Sequence, residues 1–427
     1  MKIKNFDALA KTHLRRLALE IAEFGLHAVD TKKVIQKNVR VEDNELFVAQ
    51  EKIPLKSIKR IFVVGVGKCS LEAGAALEKI LGERINDGII LDVREGKLQR
   101  IQTFTGTHPL PSIQNINATR QIIFLLSELK KDDLVIFIIS GGGSTLLCQP
   151  LNLTYKDEAV LLKHLFKVGA DIYETNTIRK HLSLARGGYL AKYAYPAKVI
   201  SLIFSDVPGN KLEFVASGPT IKDTTTVKDA EKIAKKYDLE KKCNFKTREL
   251  IETPKDKKYF ENVKNILMVS NKIALEAMAK KAVEFDFKPK IVTANLTGEA
   301  RDVGQEIARH LNKIGSKNIL LYGGETTVTI KNQGRGGRIQ ELCLSALRFI
   351  KEGRIIIGVA SDGRDNTEFA GAIADALTKE NAKNVGLDPE KHLEENDSYN
   401  FFSKTGDFVL TGDTGSNVSD LIIAIKN

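Results

Sequence analysis

Six times along this 427-residue chain a run of apolar residues stops in a short loop of glycines, small hydroxyls and single charges. The loops are Val63-Val64-Gly65-Val66-Gly67-Lys68, Ile138-Ile139-Ser140-Gly141-Gly142-Gly143-Ser144, Ser205-Asp206-Val207-Pro208-Gly209, Tyr322-Gly323-Gly324-Glu325, Ser361-Asp362-Gly363-Arg364-Asp365 and Thr411-Gly412-Asp413-Thr414-Gly415-Ser416. Buried parallel strands read as continuous apolar runs, and open α/β sheets gather their ligands beyond the strands' carboxyl ends. The pattern predicts an α/β protein with one large site built from loops.

The length exceeds what a single core usually supports, so two α/β domains are expected. Apolar residues at 42% and charged residues at 28% suit a globular protein, and no stretch approaches the ~18 apolar residues of a membrane span. The amphipathic start, with Arg15, Arg16 and Glu20, does not resemble a secretory signal, which points to a cytoplasmic location. Cys69, Cys148, Cys243 and Cys343 lie far apart, so neither a zinc site nor a disulfide framework is signalled. The formal charge of +11 would suit either nucleic acid or an anionic small molecule. Because lysines and arginines are dispersed among glutamates without interleaved aromatics, they read as a solvated surface, and a small anionic ligand is favoured.

Apolar spacing predicts a helix within about residues 6–29, then strands at Ile61–Val64, Gly88–Val93, Leu134–Ile139 and Val199–Phe204, with helices at Leu71–Leu81, Ala118–Leu129 and Glu158–Tyr173 between them. Periodicity weakens between about Lys222 and Val263, marking a boundary. A second alternating region has predicted strands at Ile266–Val269, Lys290–Thr293, Asn318–Tyr322, Thr326–Ile330, Ile355–Val359 and Phe408–Leu410. The expected division is an N-terminal Rossmann-like doubly wound sheet over residues 1–235 and a C-terminal α/β domain with a mixed sheet over 236–427, the site lying between them.

The glycines of Ser140-Gly141-Gly142-Gly143-Ser144 remove every β-carbon between a strand and a predicted helix, so backbone amides can curl around a phosphate. Gly65-Val66-Gly67-Lys68-Cys69-Ser70 fits neither standard nucleotide loop. The dinucleotide fingerprint needs glycine where Ser70 stands, and no acidic residue is expected to close a following strand about 20 positions on; a Walker A loop needs glycine at Phe62 and a hydroxyl at Cys69. What remains is Lys68, a lysine at a strand end that can stabilise charge on a transferred phosphoryl group. Asp206, Asp362 and Asp365 each follow an apolar run, where a carboxylate could hold Mg²⁺ or take a proton from a hydroxyl. Arg338, beside a predicted helix start, offers a planar fork for carboxylate or phosphate, next to the Gly323-Gly324-Glu325 loop. His108 and the Arg179-Lys180-His181 step read equally as surface or site, and Ser144 lacks a nucleophile elbow.

Taken in order, Val64-Gly65-Val66-Gly67-Lys68, Gly106-Thr107-His108-Pro109, Ile139 to Ser144, Asn176 to Ser183, Ser205 to Gly209, Ala216-Ser217-Gly218-Pro219-Thr220, Gly323 to Val328 and Thr411 to Val418 resemble the type II glycerate kinases, whose C-terminal part carries the MOFRL domain, here about residues 318–425. The resemblance runs over nearly the whole chain. It implies two α/β domains and ATP-dependent phosphorylation of D-glycerate at the 2-hydroxyl with Mg²⁺, giving 2-phosphoglycerate. It also implies catalytic roles for Lys68, Asp206 and Arg338. Nucleotide contacts are expected from Ser140, Gly141, Gly142, Gly143, Ser144, Gly323, Gly324, Glu325 and Asn417, and the three aspartates Asp206, Asp362 and Asp365 together suggest a metal site. A homodimer is left open. The chain departs from the family pattern at Asn210, Ile339, Asn366, Asp413 and Ser419. Other readings are a kinase for another small hydroxy acid, a hydroxypyruvate reductase, against which the failed fingerprint speaks, and a non-catalytic nucleotide-binding protein.

Overall fold

The computed structural model describes residues 1–207 and 211–427. These divide into two compact units, one formed by Val34–Val269 and the other by Met1–Lys33 together with Ser270–Asn427. In the first unit, β1 (Val39–Glu42), β2 (Glu45–Val48) and β3 (Glu51–Pro54) make a small antiparallel sheet. Its main sheet is wholly parallel, built from β4 (Arg60–Val66), β5 (Ile85–Asp92), β6 (Gln102–Thr105), β7 (Asp133–Ser140), β8 (Lys198–Phe204) and β9 (Val263–Val269) in the order β6-β5-β4-β7-β8-β9.

Every residue of β7 is buried, as expected of a strand covered on both faces, and Val64, Phe137 and Ile139 form one core with Ile122 and Leu126 of the helix Ile113–Ser127. The strand order runs outward in both directions from β4 and β7, the arrangement of a doubly wound nucleotide-binding sheet. Its switch point falls between β4 and β7. The predicted long helix over Glu158–Tyr173 is two helices, Tyr155–Lys167 and Ile172–Leu182. Gly169 has φ of +74° between them, and a capping box of Asp171 with Glu174 starts the second.

The second unit carries a mixed sheet of β10 (Lys288–Leu296), β11 (Asn318–Gly324), β12 (Arg354–Ala360), β13 (Gly371–Asp375), β14 (Phe408–Val409) and β15 (Asp420–Lys426), in the order β10-β11-β15-β12-β13-β14. Only β10 and β11 run parallel; β15 enters antiparallel to both neighbours, which brings Asp420 opposite Gly324 and Ala360. The helix His13–Ala28 belongs to this unit. Its Arg15 is fully buried, with Nε 2.6 Å from Asp375 and Nη1 2.7 Å from Asp407.

Further details depart from the sequence reading. The boundary falls at Val269/Ser270 instead of 235/236 because Ile266–Val269 lies in β9, an edge strand paired with β8, and residues 1–33 join the C-terminal part through Arg15. No strand forms over Thr326–Ile330: the amides of Thr327 and Thr329 bond the Gly298 carbonyl and the Glu299 carboxylate, and Ile330 is exposed. Conversely, the apolar run Leu421–Ile425 forms the buried body of β15, a strand absent from the predicted set.

Candidate active site

Lys68 stands two residues beyond β4, and the triple-glycine loop follows β7 directly, so the two border the switch point of the parallel sheet. Their backbones are joined by a bond from the Lys68 amide to the Gly141 carbonyl at 3.0 Å. Gly67 has φ of +125°, and a β-carbon there would lie 2.1 Å from Ser140 Oγ, so only glycine lets the loops approach this closely. Gly142 has φ of +81° and faces Lys68 Cγ and His108 Cδ2 at 3.1 and 3.4 Å, measured from the position a β-carbon would take. Lys68, Gly142 and His108 therefore share one corner. No carboxylate pairs with the Lys68 ammonium among the described residues.

His108 keeps an exposed surface but sits in a cationic setting. Partial burial, then the charges of Lys68 and Arg179, push its imidazole down to about 4, so at neutral pH the ring is uncharged. Ser144, the residue after the glycines, lies 2.9 Å from Ser217 Oγ, which in turn lies 2.5 Å from Asn176 Oδ1. Ala216 and Ser217 hold φ of +51° and +58°, a left-handed conformation costing roughly 1 kcal/mol or more per residue, and Ala216 packs against Gly143. Such strain is kept where a side chain must be aimed. The sequence signal for it was the Ala216-Ser217-Gly218-Pro219 turn; the Asn176–Ser217–Ser144 chain, drawn from three distant segments, had none.

Lys180 and His181, read equally as surface or site, are interior. Lys180 Nζ lies 3.0 Å from Asp223 Oδ1, while His181 bonds the Ile251 carbonyl at 2.8 Å and Thr225 at 3.1 Å. They tie the helix Ile172–Leu182 to the segment 223–253. Arg179, one residue earlier, does not join that network.

Asp206 follows β8 two residues beyond the Ser140–Phe204 pair. The rest of its loop, Pro208 and Gly209, and the departure at Asn210 lie outside the described residues. Asp92, fully buried, ends β5, so an acidic residue does close the strand after the β4 loop, which corrects the sequence reading. Its carboxylate is already engaged by the Leu71 amide at 2.9 Å, Ser70, and the Val93 and Arg94 amides, and so braces the start of the helix Ser70–Leu81.

The second unit holds a separate charged cluster. Arg338 grips Asp420 through Nε at 2.6 Å and Nη2 at 2.9 Å and reaches Glu325 at 3.1 Å. The pairing of these charges raises the Arg338 pKa against the cost of burial. Burial pushes the Asp420 carboxyl up to about 7 despite Arg338, with Asp365 and Glu325 adding repulsion. Asp420 is a residue sequence reasoning missed, since it opens β15, which like the buried β13 is absent from the predicted strands. Gly323 and Gly324 are the last residues of β11, paired with Leu421 and Asp420, instead of a free loop.

The buried Asp365 accepts the amides of Ile339 and Gln340 at 3.1 and 2.8 Å, so it caps the helix Arg338–Ala346, and burial raises its pKa. Asp362 accepts the Arg364 amide at 3.0 Å. Among the described residues no group of three or more histidine, cysteine or acidic side chains is set to hold a metal ion. Of the departures from the family pattern, Ile339 is core beneath Gly358, Asn366 turns at φ of +54° and bonds the Gly336 carbonyl, Asp413 accepts the Gly415 amide, and Ser419 takes φ of +69°. Asn417 follows the same loop.

A family model described as a domain of unknown function, DUF4147, matches residues 17–252, and the MOFRL family model matches residues 318–420. The chain is 36% identical over 426 residues to D-glycerate 2-kinase of Thermotoga maritima, across 96% of this chain and 98% of that protein. It is 36% identical to glycerate 2-kinase of Pyrococcus horikoshii, across 96% and 97%. A relative from Agrobacterium vitis that bears a provisional hydroxypyruvate reductase name is 36% identical across 91% and 92%. The crystal structure of glycerate kinase from Thermotoga maritima superposes with a TM-score of 0.86 at 35% identity, covering 97% of this chain and 99% of that one.

Proposed function

Because the chain belongs to the glycerate 2-kinase family, we propose that it is an ATP-dependent kinase that phosphorylates D-glycerate at the 2-hydroxyl to give 2-phosphoglycerate. The observation that carries this reading is the uncommitted Lys68 ammonium beside the triple-glycine turn at the switch point of a parallel sheet.

Phosphoryl transfer asks the protein chiefly to position two oxygens in line and to neutralise charge. The loop Ser140–Ser144, free of side-chain bulk, would cradle phosphates through its amides. Lys68 would meet the group in transfer, and Asp206 would orient the acceptor hydroxyl or take its proton. Mg²⁺, when bound, screens the phosphate oxygens and is commonly held by one or two carboxylates plus the phosphates themselves. Asp206 fits that need. Asp365 does not, since its oxygens are spent on helix amides. The Arg338 fork is already bound to Asp420 and Glu325, so its role is read as holding these two carboxylates in place.

A reductase reading gains from Asp92 at the end of β5, where a ribose-binding acid would stand, but the carboxylate is occupied by the chain's own amides. The unbridged cysteines accord with a reducing, cytoplasmic setting, and no helix among the described residues is long and apolar enough to cross a membrane. The deciding experiment supplies ATP, Mg²⁺ and D-glycerate and follows ADP, with phosphorus NMR locating the phosphate. Glycerate-dependent ADP and a 2-phosphate resonance are expected. NADH oxidation with hydroxypyruvate, and no ADP, would instead establish the reductase.

A further inference from the structure

Among the described residues, three deeply placed arginines have carboxylate partners. Arg15 has Asp375 and Asp407, Arg186 has Glu158 at 2.7 Å, and Arg338 has Asp420. Arg179 has none: its Nε is buried without a hydrogen-bond acceptor, and no ion pair engages its terminal nitrogens among the described residues. Glu158 lies near both Arg179 and Arg186, so one carboxylate stands against two guanidiniums and a positive charge is left over. A desolvated, unpaired guanidinium is costly and persists where an arriving anion completes it.

Position identifies the anion. Arg179 lies one turn after Asn176 on the helix Ile172–Leu182, and residues three apart share a helix face. Asn176 binds Ser217 and Ser217 reaches Ser144, so that face is turned toward the end of the glycine loop. The phosphates already have Lys68 and the loop amides. The helix wall offers a planar fork, which matches the two oxygens of a carboxylate, beside two hydroxyls suited to an adjacent alcohol. The Phe166 ring, 6.0 Å from the guanidinium carbon, flanks the fork.

We propose that Arg179 is the carboxylate anchor of the acceptor site, binding the acid group of a 2-hydroxy acid while Ser217 and Ser144 attend its hydroxyl end. This rests on the kinase reading and adds a residue that selects acids over neutral polyols. Burial, then Arg186, lowers the Arg179 pKa to about 10, so the fork stays charged at neutral pH, while the neighbouring His108 stays neutral and does not compete for the anion.

The test is steady-state kinetics of Arg179→Gln and Arg179→Lys with ATP and D-glycerate. Both should raise the glycerate KM by at least about tenfold while the ATP KM moves less than about twofold, lysine failing because it lacks the fork. Arg179→Ala should regain activity with millimolar guanidinium, a rescue that a purely structural role would not give. An unchanged glycerate KM, or a shift confined to the ATP KM, overturns the proposal. Should Arg179→Gln not fold, the lysine variant, which keeps charge and stem, decides the question by the same two constants. A wild-type enzyme that ignores glycerate altogether would fail at the level of the kinase reading, before any variant is compared.

Discussion

In the proposed mechanism Lys68 is the residue on which the chemistry turns. It lies at a strand end where no carboxylate among the described residues pairs with its ammonium, and Lys68→Ala removes a charge without opening the core or stranding a buried partner. Turnover should fall by roughly 10²–10³, as when one preorganised donor to a developing charge is lost, with the thermal midpoint unchanged. Wild-type turnover in a folded Lys68→Ala protein would take the lysine out of the mechanism. Lys68 and the glycines were legible from sequence because a strand end followed by residues lacking β-carbons is a local pattern. Asp420 was not: its significance comes from facing Gly324 and Ala360 across strands, and its elevated pKa comes from burial, neither of which is written near residue 420. Arg179 was visible as a charge, but nothing in its neighbourhood tells that Lys180 and His181 are paired inside while it is not.

At the scale of the element, the loop after β7 is held in shape by its backbone. Gly142 takes a left-handed conformation, and an added β-carbon would press on Lys68 Cγ at 3.1 Å. Gly142→Ala should cost about 1 kcal/mol in strain and displace the Lys68 side chain. The expected result is a small drop in urea midpoint with a much larger drop in kcat, measured on one preparation; equal kcat would show that the loop's shape is not needed. Strands with continuous apolar runs, β4, β7 and β8, were readable because burial on both faces leaves no polar alternation. Thr326–Ile330 misled because β-branched alternation signals only a capacity to pair, and here Gly298 and Glu299 satisfy those amides first.

For the whole molecule, the decisive element is the first long helix, which contributes Arg15 to the unit formed by the C-terminal part. Arg15→Met would leave Asp375 and Asp407 buried without their cation, a loss of about 3–5 kcal/mol. Chemical denaturation should then show the unit of residues 1–33 and 270–427 unfolding earlier, read by hydrogen exchange on β13 and β15, while β4 and β7 keep their protection. Uniform loss of protection would mean the two units unfold as one. The α/β class was plain from the alternation of runs, whereas the discontinuous assignment of residues 1–33 depends on a contact 360 residues away.

That contact also orders events at the ribosome. The 34–269 body is complete well before β15 emerges, whereas Arg15 waits for Asp375 and Asp407, 360 and 392 residues downstream. Throughout that interval the nascent amino-terminal helix carries a guanidinium whose two native carboxylate partners are not yet synthesised, so a chain that stalls before them leaves a finished half attached to an open one.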